Sequence, residues 1–271
     1  MHKVDWVQAN GTWLRFAEDG VSASAATGTV ILVHEMGGTL DSWDEVVPYL
    51  ADQYRVLRYD MRGFGLSQKI FGPFTVDDAI NDLVGFIDAM KVEGPLALVG
   101  AAVGAGVAMR VAAQIPERIG ALIALAPATE IAPERLAGAR AMPGRIVELG
   151  IRRLVDEQIA PGSYPEQLRD NPERFRRFQA QQSSMDPESF AATFGMLLEA
   201  KYLPYLGGIK CPTLVIAGEF DKTRPPAMVE PVARAIAGAR YEVFPSCHFM
   251  AMQAPDLVGK KIDSFLTEVL H

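Results

Sequence analysis

Pro95-Leu96-Ala97-Leu98-Val99-Gly100-Ala101-Ala102-Val103-Gly104-Ala105-Gly106 is the stretch on which the fold turns. An uninterrupted apolar run ending in glycine predicts a strand buried on both faces. The small residues after it let the chain turn sharply into a helix packed close to that strand. The spacing is that of the strand-turn-helix motif Gly-X-Ser-X-Gly, whose flanking glycines make room for the strained backbone of the central residue. Ala102 stands where that motif carries serine. A methyl group has no lone pair and no labile proton, so covalent catalysis at position 102 is excluded.

Outward from this segment, short apolar runs bounded by Gly or Pro recur at Thr29 to Val33, Tyr54 to Tyr59, Ala121 to Ala126, Thr213 to Ala217 and Tyr241 to Phe244. Between them lie helical patterns such as Val76 to Met90, where Val76, Ile80, Leu83, Val84 and Ile87 recur at three- and four-residue intervals. Strands alternating with helices imply a mostly parallel sheet. Asp5 to Gln8 and Thr12 to Ala17, around Asn10-Gly11, predict an antiparallel hairpin at its edge.

The rhythm stops between about Glu130 and Gly208, a stretch rich in Arg, Glu, Gln and Met with no convincing strand. Breaks at Pro143-Gly144, Pro161-Gly162, Pro172 and Pro187 predict several helices, with Asp186-Pro187-Glu188 as a cap followed by proline at a first helical position. The expected organisation is a core formed by residues 1–129 and 209–271, with residues 130–208 inserted after the sixth strand as a helical lid. No internal repeat or low-complexity tract is present.

Composition narrows the partners. The chain has 271 residues, 49% of them hydrophobic, which is ample for one large core, and a net charge of −7 with no basic run argues against nucleic acid and anionic membrane surfaces. The start lacks a secretory pattern, and no stretch approaches about 18 uninterrupted apolar residues. A cytoplasmic location is expected, with Cys211 and Cys247 as free thiols, since two cysteines form neither a disulfide framework nor a zinc-ligand spacing.

Four segments, in order, complete the pattern: His34-Glu35-Met36-Gly37-Gly38, Asp60-Met61-Arg62-Gly63-Phe64-Gly65-Leu66-Ser67, the turn at Ala102, and Asp221 followed by His248. In these the chain resembles the α/β-hydrolase fold superfamily, including its enol-lactone hydrolases, esterases and carbon-carbon bond hydrolases, over nearly its whole length. The resemblance implies an α/β architecture, a mostly parallel eight-stranded sheet flanked by helices, with a helical lid. It implies that Ala102 occupies the nucleophile position, His248 is the general base and Asp221 its orienting acid, following the family order of nucleophile, acid and histidine. Glu219 competes with Asp221, and Cys247 replaces the glycine usual before the histidine. The oxyanion hole would use the backbone N–H groups of Met36 and Val103, whatever their side chains.

Glu35 departs from the usual glycine. It reads equally as a catalytic carboxylate, like the glutamate of dienelactone hydrolases, or as the partner of Arg62 or another base. Asp60 and Arg62 read as structural, holding the loop around the oxyanion hole through charge-assisted hydrogen bonds. Met142, Leu149, Phe190, Phe194, Met196 and Leu197 are candidates for a pocket wall or simply for core, as is Trp43. Arg140 and Tyr202 are candidate polar contacts to a substrate.

These residues leave several functions open. A serine replaced by alanine in an engineered variant would give a disabled hydrolase of a small ester, lactone, amide or vinylogous carbon-carbon bond; a native alanine would leave a serine-independent enzyme. His248 acting as a cofactor-free base would suit a lyase or oxygenase, and a pocket without turnover would suit a small-molecule receptor. A small-molecule substrate is the expected partner, no metal or organic cofactor is expected, and the lid helices and edge hairpin are surfaces on which a homodimer could form.

Overall fold

The computed structural model describes residues 2–270. Eight strands form one sheet: β1 (His2–Ala9), β2 (Thr12–Gly20), β3 (Thr29–Val33), β4 (Arg55–Tyr59), β5 (Leu96–Ala101), β6 (Ala121–Leu125), β7 (Thr213–Gly218) and β8 (Arg240–Phe244). Their spatial order is β1-β2-β4-β3-β5-β6-β7-β8. β2 runs antiparallel to β1 and β4, and all the remaining pairs are parallel. The hairpin strands extend beyond the sequence expectation, and Asn10 (φ 46°) and Gly11 (φ 72°) make the turn between them with both residues at positive φ.

The central strands β3 to β7 are buried at every position, as their continuous apolar runs require. Their side chains divide by the two-residue period of a strand. Ile31, Val33, Leu57 and Leu98 face the layer made by α1 (Val76–Ala89), α2 (Val103–Gln114) and α9 (Pro226–Arg234). Val30, Leu32, Val56 and Val99 face α11 (Pro255–Leu270) and the turns carrying Trp43 and Leu50. α1 begins where sequence predicts, with a capping box in which Asp78 N donates to Thr75 Oγ1 and Thr75 N to Asp78 Oδ2.

Between β6 and β7 the chain makes only helices among the described residues: α3 (Pro133–Ala139), α4 (Met142–Leu149), α5 (Ile151–Leu154), α6 (Ala160–Ser163), α7 (Pro172–Ser183) and α8 (Pro187–Glu199), with a π-helical turn before α6 and short turns on either side. Pro172 and Pro187 each open a helix, and Asp186 caps α8 by accepting from Ser189 N at 2.7 Å. Pro143 lies in the first turn of α4 rather than between helices, and the break after α4 falls at Gly150, φ 73°. α10 (Met250–Gln253) precedes α11. Among the described residues no helix is long and apolar enough to cross a membrane.

Candidate active site

The site lies where β3, β5 and β7 end and the inserted helices begin. Gly100 and Gly104 are required there by contact: a Cβ on Gly104 would lie 2.4 Å from the carbonyl oxygens of both Val33 and His34, and one on Gly100 would lie 2.5 Å from Ala105 Cα. That closeness brings the start of α2 hard against β3 and β5. Ala102, at the turn, has φ 47° and ψ −111°, a region that favours glycine. Its N–H donates to Leu125 O (2.8 Å), and its carbonyl accepts from Gly106 N (3.1 Å) and Ala128 N (2.9 Å). The strained turn is thus pinned by neighbouring backbone, and its methyl lines a cavity of about 530 Å³.

Met36 and Val103 line the same cavity. Among the described residues neither of their N–H groups donates to a protein acceptor. Two unpartnered amides beside one turn are what an oxyanion requires. The loop carrying Met36 is held from behind. His34 spans it, with Nδ1 bonded to Glu35 O (2.7 Å) and Nε2 accepting from Met61 N (2.9 Å), an arrangement that selects the neutral Nδ1–H tautomer. Buried Asp60 accepts from Leu40 N (2.7 Å) and Leu66 N (2.8 Å) and so ties together the loops after β3 and β4.

On the other side of Ala102, His248 Nδ1 lies 2.7 Å from Asp221 Oδ2. Asp221 Oδ1 accepts from Thr223 N (2.8 Å) and Arg224 N (2.9 Å). Burial pushes the Asp221 carboxyl up, but the imidazole and the two amides outweigh it and hold the carboxyl below its ordinary value. With Nδ1 committed, Nε2 is the nitrogen left for chemistry on the cavity side. Glu219, the competing acid, is exposed. Cys247 does not offer a nucleophile to the cavity: its sulfur is buried against Phe220 O (3.2 Å), and burial, with Asp221 nearby, pushes the thiol up to about 11.

Three sequence candidates lie elsewhere. Glu35 does not line the cavity and does not pair with Arg62; it is buried behind the loop, where its Oε1 accepts from Ser42 Oγ at 2.9 Å. Arg62 holds Asp82 of α1 instead, through Nε at 2.9 Å and Nη2 at 2.5 Å. Arg140 is exposed at the end of α3, off the cavity wall. Tyr202 is fully buried, with its ring against Gly106; its backbone N–H donates to Glu130 Oε1 at 2.9 Å, and its hydroxyl has no hydrogen-bond partner among the described residues.

Of the apolar candidates, Met142, Phe194 and Leu197 line the cavity, whereas Phe190 and Met196 are core and Trp43 is buried on the opposite side of the sheet. Sequence reasoning missed the polar residues of the wall, Glu134, Arg135, Thr223 and Arg224. For Arg224 a signal existed, since it follows Asp221 by three residues in the loop already singled out. Among the described residues, no three His, Cys, Asp or Glu side chains gather into a metal-binding group.

A strained strand-to-helix turn, two open amides and a histidine-carboxylate pair around one cavity, on this strand order, define a class of protein. The chain belongs to the α/β hydrolase fold family, whose family model matches residues 28–255. It is 25% identical over 265 residues to 3-oxoadipate enol-lactonase 2 of Acinetobacter baylyi, covering 98% of this chain and 97% of that one. It is 26% identical to 2-hydroxy-6-oxo-6-(2'-aminophenyl)hexa-2,4-dienoic acid hydrolase of Metapseudomonas resinovorans, covering 97% and 90%. Among solved structures, the enol-lactonase from Burkholderia xenovorans LB400 superimposes with a TM-score of 0.89 at 28% identity, over 97% of this chain and 100% of that one.

Proposed function

We propose that the protein is a hydrolase of a small ester, lactone or vinylogous carbon-carbon substrate in which His248, oriented by Asp221, activates water directly, because position 102 has no nucleophile. The observation that carries this reading is the single cavity shared by the free edge of His248, the Ala102 methyl, and the unpartnered amides of Met36 and Val103. The enol-lactonase and carbon-carbon hydrolase relatives give the substrate chemistry its direction.

In the proposed reaction the substrate carbonyl oxygen sits between the two amides, and a water oxygen attacks the carbonyl carbon while giving its proton to His248 Nε2. The C=O electrons move onto oxygen, where the amides stabilise the charge. When the tetrahedral species collapses, the imidazolium returns its proton to the leaving alkoxide, enol or carbanion. Asp221 keeps the imidazole in the Nδ1–H tautomer and stabilises the imidazolium. Such a base contributes about a hundred- to ten-thousandfold, and an oxyanion donor about a hundred- to a thousandfold.

The test is pre-steady-state hydrolysis of short p-nitrophenyl esters and an enol lactone by the present chain, by Ala102→Ser and by His248→Ala. The present chain should turn over slowly without a burst, Ala102→Ser should show an acyl-enzyme burst, and His248→Ala should lose both activities. Activity found only after serine is installed would mark a disabled hydrolase, and activity untouched by His248→Ala would overturn the water-activating role.

A further inference from the structure

β1 is an edge of the sheet, paired with β2 alone, and one side of its backbone is open. The two-residue turn at Asn10-Gly11 closes on Ala9 and Thr12, so Ala9, Val7, Asp5 and Lys3 direct their backbone N–H and C=O groups toward β2. Gln8, Trp6, Val4 and His2 direct theirs to the free edge. The N–H of Trp6 is bonded there only to the carboxylate of its neighbour, Asp5 Oδ1, at 2.9 Å.

The face beside this edge is apolar. Val4 lies opposite Ala17, Trp6 opposite Arg15 and Gln8 opposite Trp13, which puts Val4, Trp6 and Trp13 on one face of the hairpin. Leu66 adjoins them, its carbonyl accepting from Trp6 Nε1 at 3.3 Å. All four side chains are between 42% and 63% exposed. An open backbone edge flanked by exposed apolar side chains is a template for another strand.

Charge selects the occupant. On the other face of β1, Lys3 and Asp5 are exposed and pair with each other at 2.9 Å. A second β1 laid antiparallel about Lys3 or about Asp5 would set like charges opposite one another, and one laid about Trp6 would set Asp5 against Val7. Pairing about Val4 sets Lys3 against Asp5 of the second copy, twice over. It also sets His2 against Trp6, and it bonds His2, Val4 and Trp6, the residues whose backbone faces outward, while Lys3 and Asp5 fall in the non-hydrogen-bonded pairs where side chains are closest.

The opposite edge is differently equipped. β8 also carries a base and an acid two residues apart, but Arg240 and Glu242 are held by Glu268 and Lys261 of α11. Val243 is the one large apolar side chain exposed along β8 among the described residues.

We propose that the β1 edge docks β1 of a second copy of this chain, antiparallel about Val4, so that two sheets join into one and the apolar faces of both hairpins lie on the same side of it. Such an interface is isologous, each copy offering the same strand to the other.

The experiment is sedimentation velocity of the full chain from about 1 to about 100 μM, where a dimer should form. Lys3→Asp puts acids at both positions and Asp5→Lys puts bases at both, so each variant alone should dimerise at least about tenfold more weakly. An equimolar mixture of the two should recover the dimer, since every cross-strand pair is again of opposite sign; loss of the pair within one chain could not be repaired by mixing. Val4→Cys should crosslink to itself on mild oxidation, because the two-fold axis brings both copies of residue 4 side by side. The assignment is overturned by a chain that stays monomeric, including one that instead floats with phosphatidylcholine vesicles and so marks a lipid-binding face. It is equally overturned by a dimer indifferent to both charge variants, by a mixture that stays monomeric although each variant keeps the circular dichroism of the present chain, by Val4→Cys that remains uncrosslinked, or by a dimer that Val243→Lys dissolves.

Discussion

At the turn around Ala102 the site is built from backbone, whereas at Asp221 and His248 it is built from side chains, and the two halves respond to sequence in different ways. The turn needs only that Gly100 and Gly104 lack a Cβ and that Leu125, Gly106 and Ala128 supply hydrogen-bond partners. It therefore keeps its geometry with a residue that cannot react. The dyad has no such tolerance. A buried carboxylate is unfavourable on its own, and Asp221 is held ionised only because an imidazole and two amides converge on it. A backbone frame can outlast its chemistry, while a hydrogen-bonded pair built on a buried carboxylate lasts only as long as both members do, so the dyad is the better witness to what the cavity does.

Removing His248 should therefore have the largest effect. His248→Ala is expected to lower turnover by about a hundred- to ten-thousandfold, equivalent to about 3–5 kcal/mol of barrier, in initial-rate assays on the substrate that the present chain turns over fastest. Its melting temperature should also fall, because the buried Asp221 carboxylate loses its imidazole partner. A variant with intact rates would show that catalysis, if any, belongs to the backbone half.

The backbone half should break in stability before it breaks in chemistry. Gly104→Ala places a Cβ 2.4 Å from two carbonyl oxygens of the neighbouring segment, which cannot swing aside as a side-chain end would. Denaturant unfolding should show a loss of about 3 kcal/mol. Gly138→Ala in α3, where nothing lies within 4 Å, is the matched control and should be neutral or stabilising by up to about 1 kcal/mol. Equal effects at the two positions would contradict the close approach of α2 to β3.

The same division explains what could be read in advance. Strands β3 to β7 are legible because burial on both faces demands an unbroken apolar run, and the turn is legible because close approach demands glycine at fixed spacing. Asp221 and His248 are legible by their order after the turn. Arg62 is structural, as its sequence context suggests, but the partners of Arg62 and Glu35, Asp82 on α1 and Ser42 in a short turn, are not legible, because they are chosen by packing between segments that no local pattern connects. Tyr202 and Arg140 fail similarly: an aromatic or cationic residue in a helical insertion carries no mark of which way it faces. Arg224 is hidden because its loop draws attention to the acid three residues earlier.

Acid should weaken the dyad in a defined direction. Asp221 has its carboxyl lowered in the folded state, so its contribution to stability is fully present above the ordinary carboxylate value near 3.8 and is lost as pH falls through the lower, folded value. Urea unfolding of the present chain and of Asp221→Asn should differ in favour of the former at neutral pH, and the two should converge below about pH 4 as the carboxyl protonates. A gap that widens on acidification would mean that the carboxyl is not held ionised by its neighbours.

The smallest effect tests the strain at position 102. Alanine at φ 47° and ψ −111° pays for its Cβ in conformational energy, and glycine would relieve that cost while adding entropy to the unfolded chain. The two terms oppose each other, and strain of this kind, at about 1–3 kcal/mol, exceeds the entropic penalty of about 0.5–1 kcal/mol. Ala102→Gly should therefore raise stability by about 0.5–1 kcal/mol in denaturant titrations, without restoring or removing any reactive group. If the glycine variant is instead less stable, the Ala102 methyl contributes packing that outweighs the strain, and position 102 belongs with the side-chain half of the site.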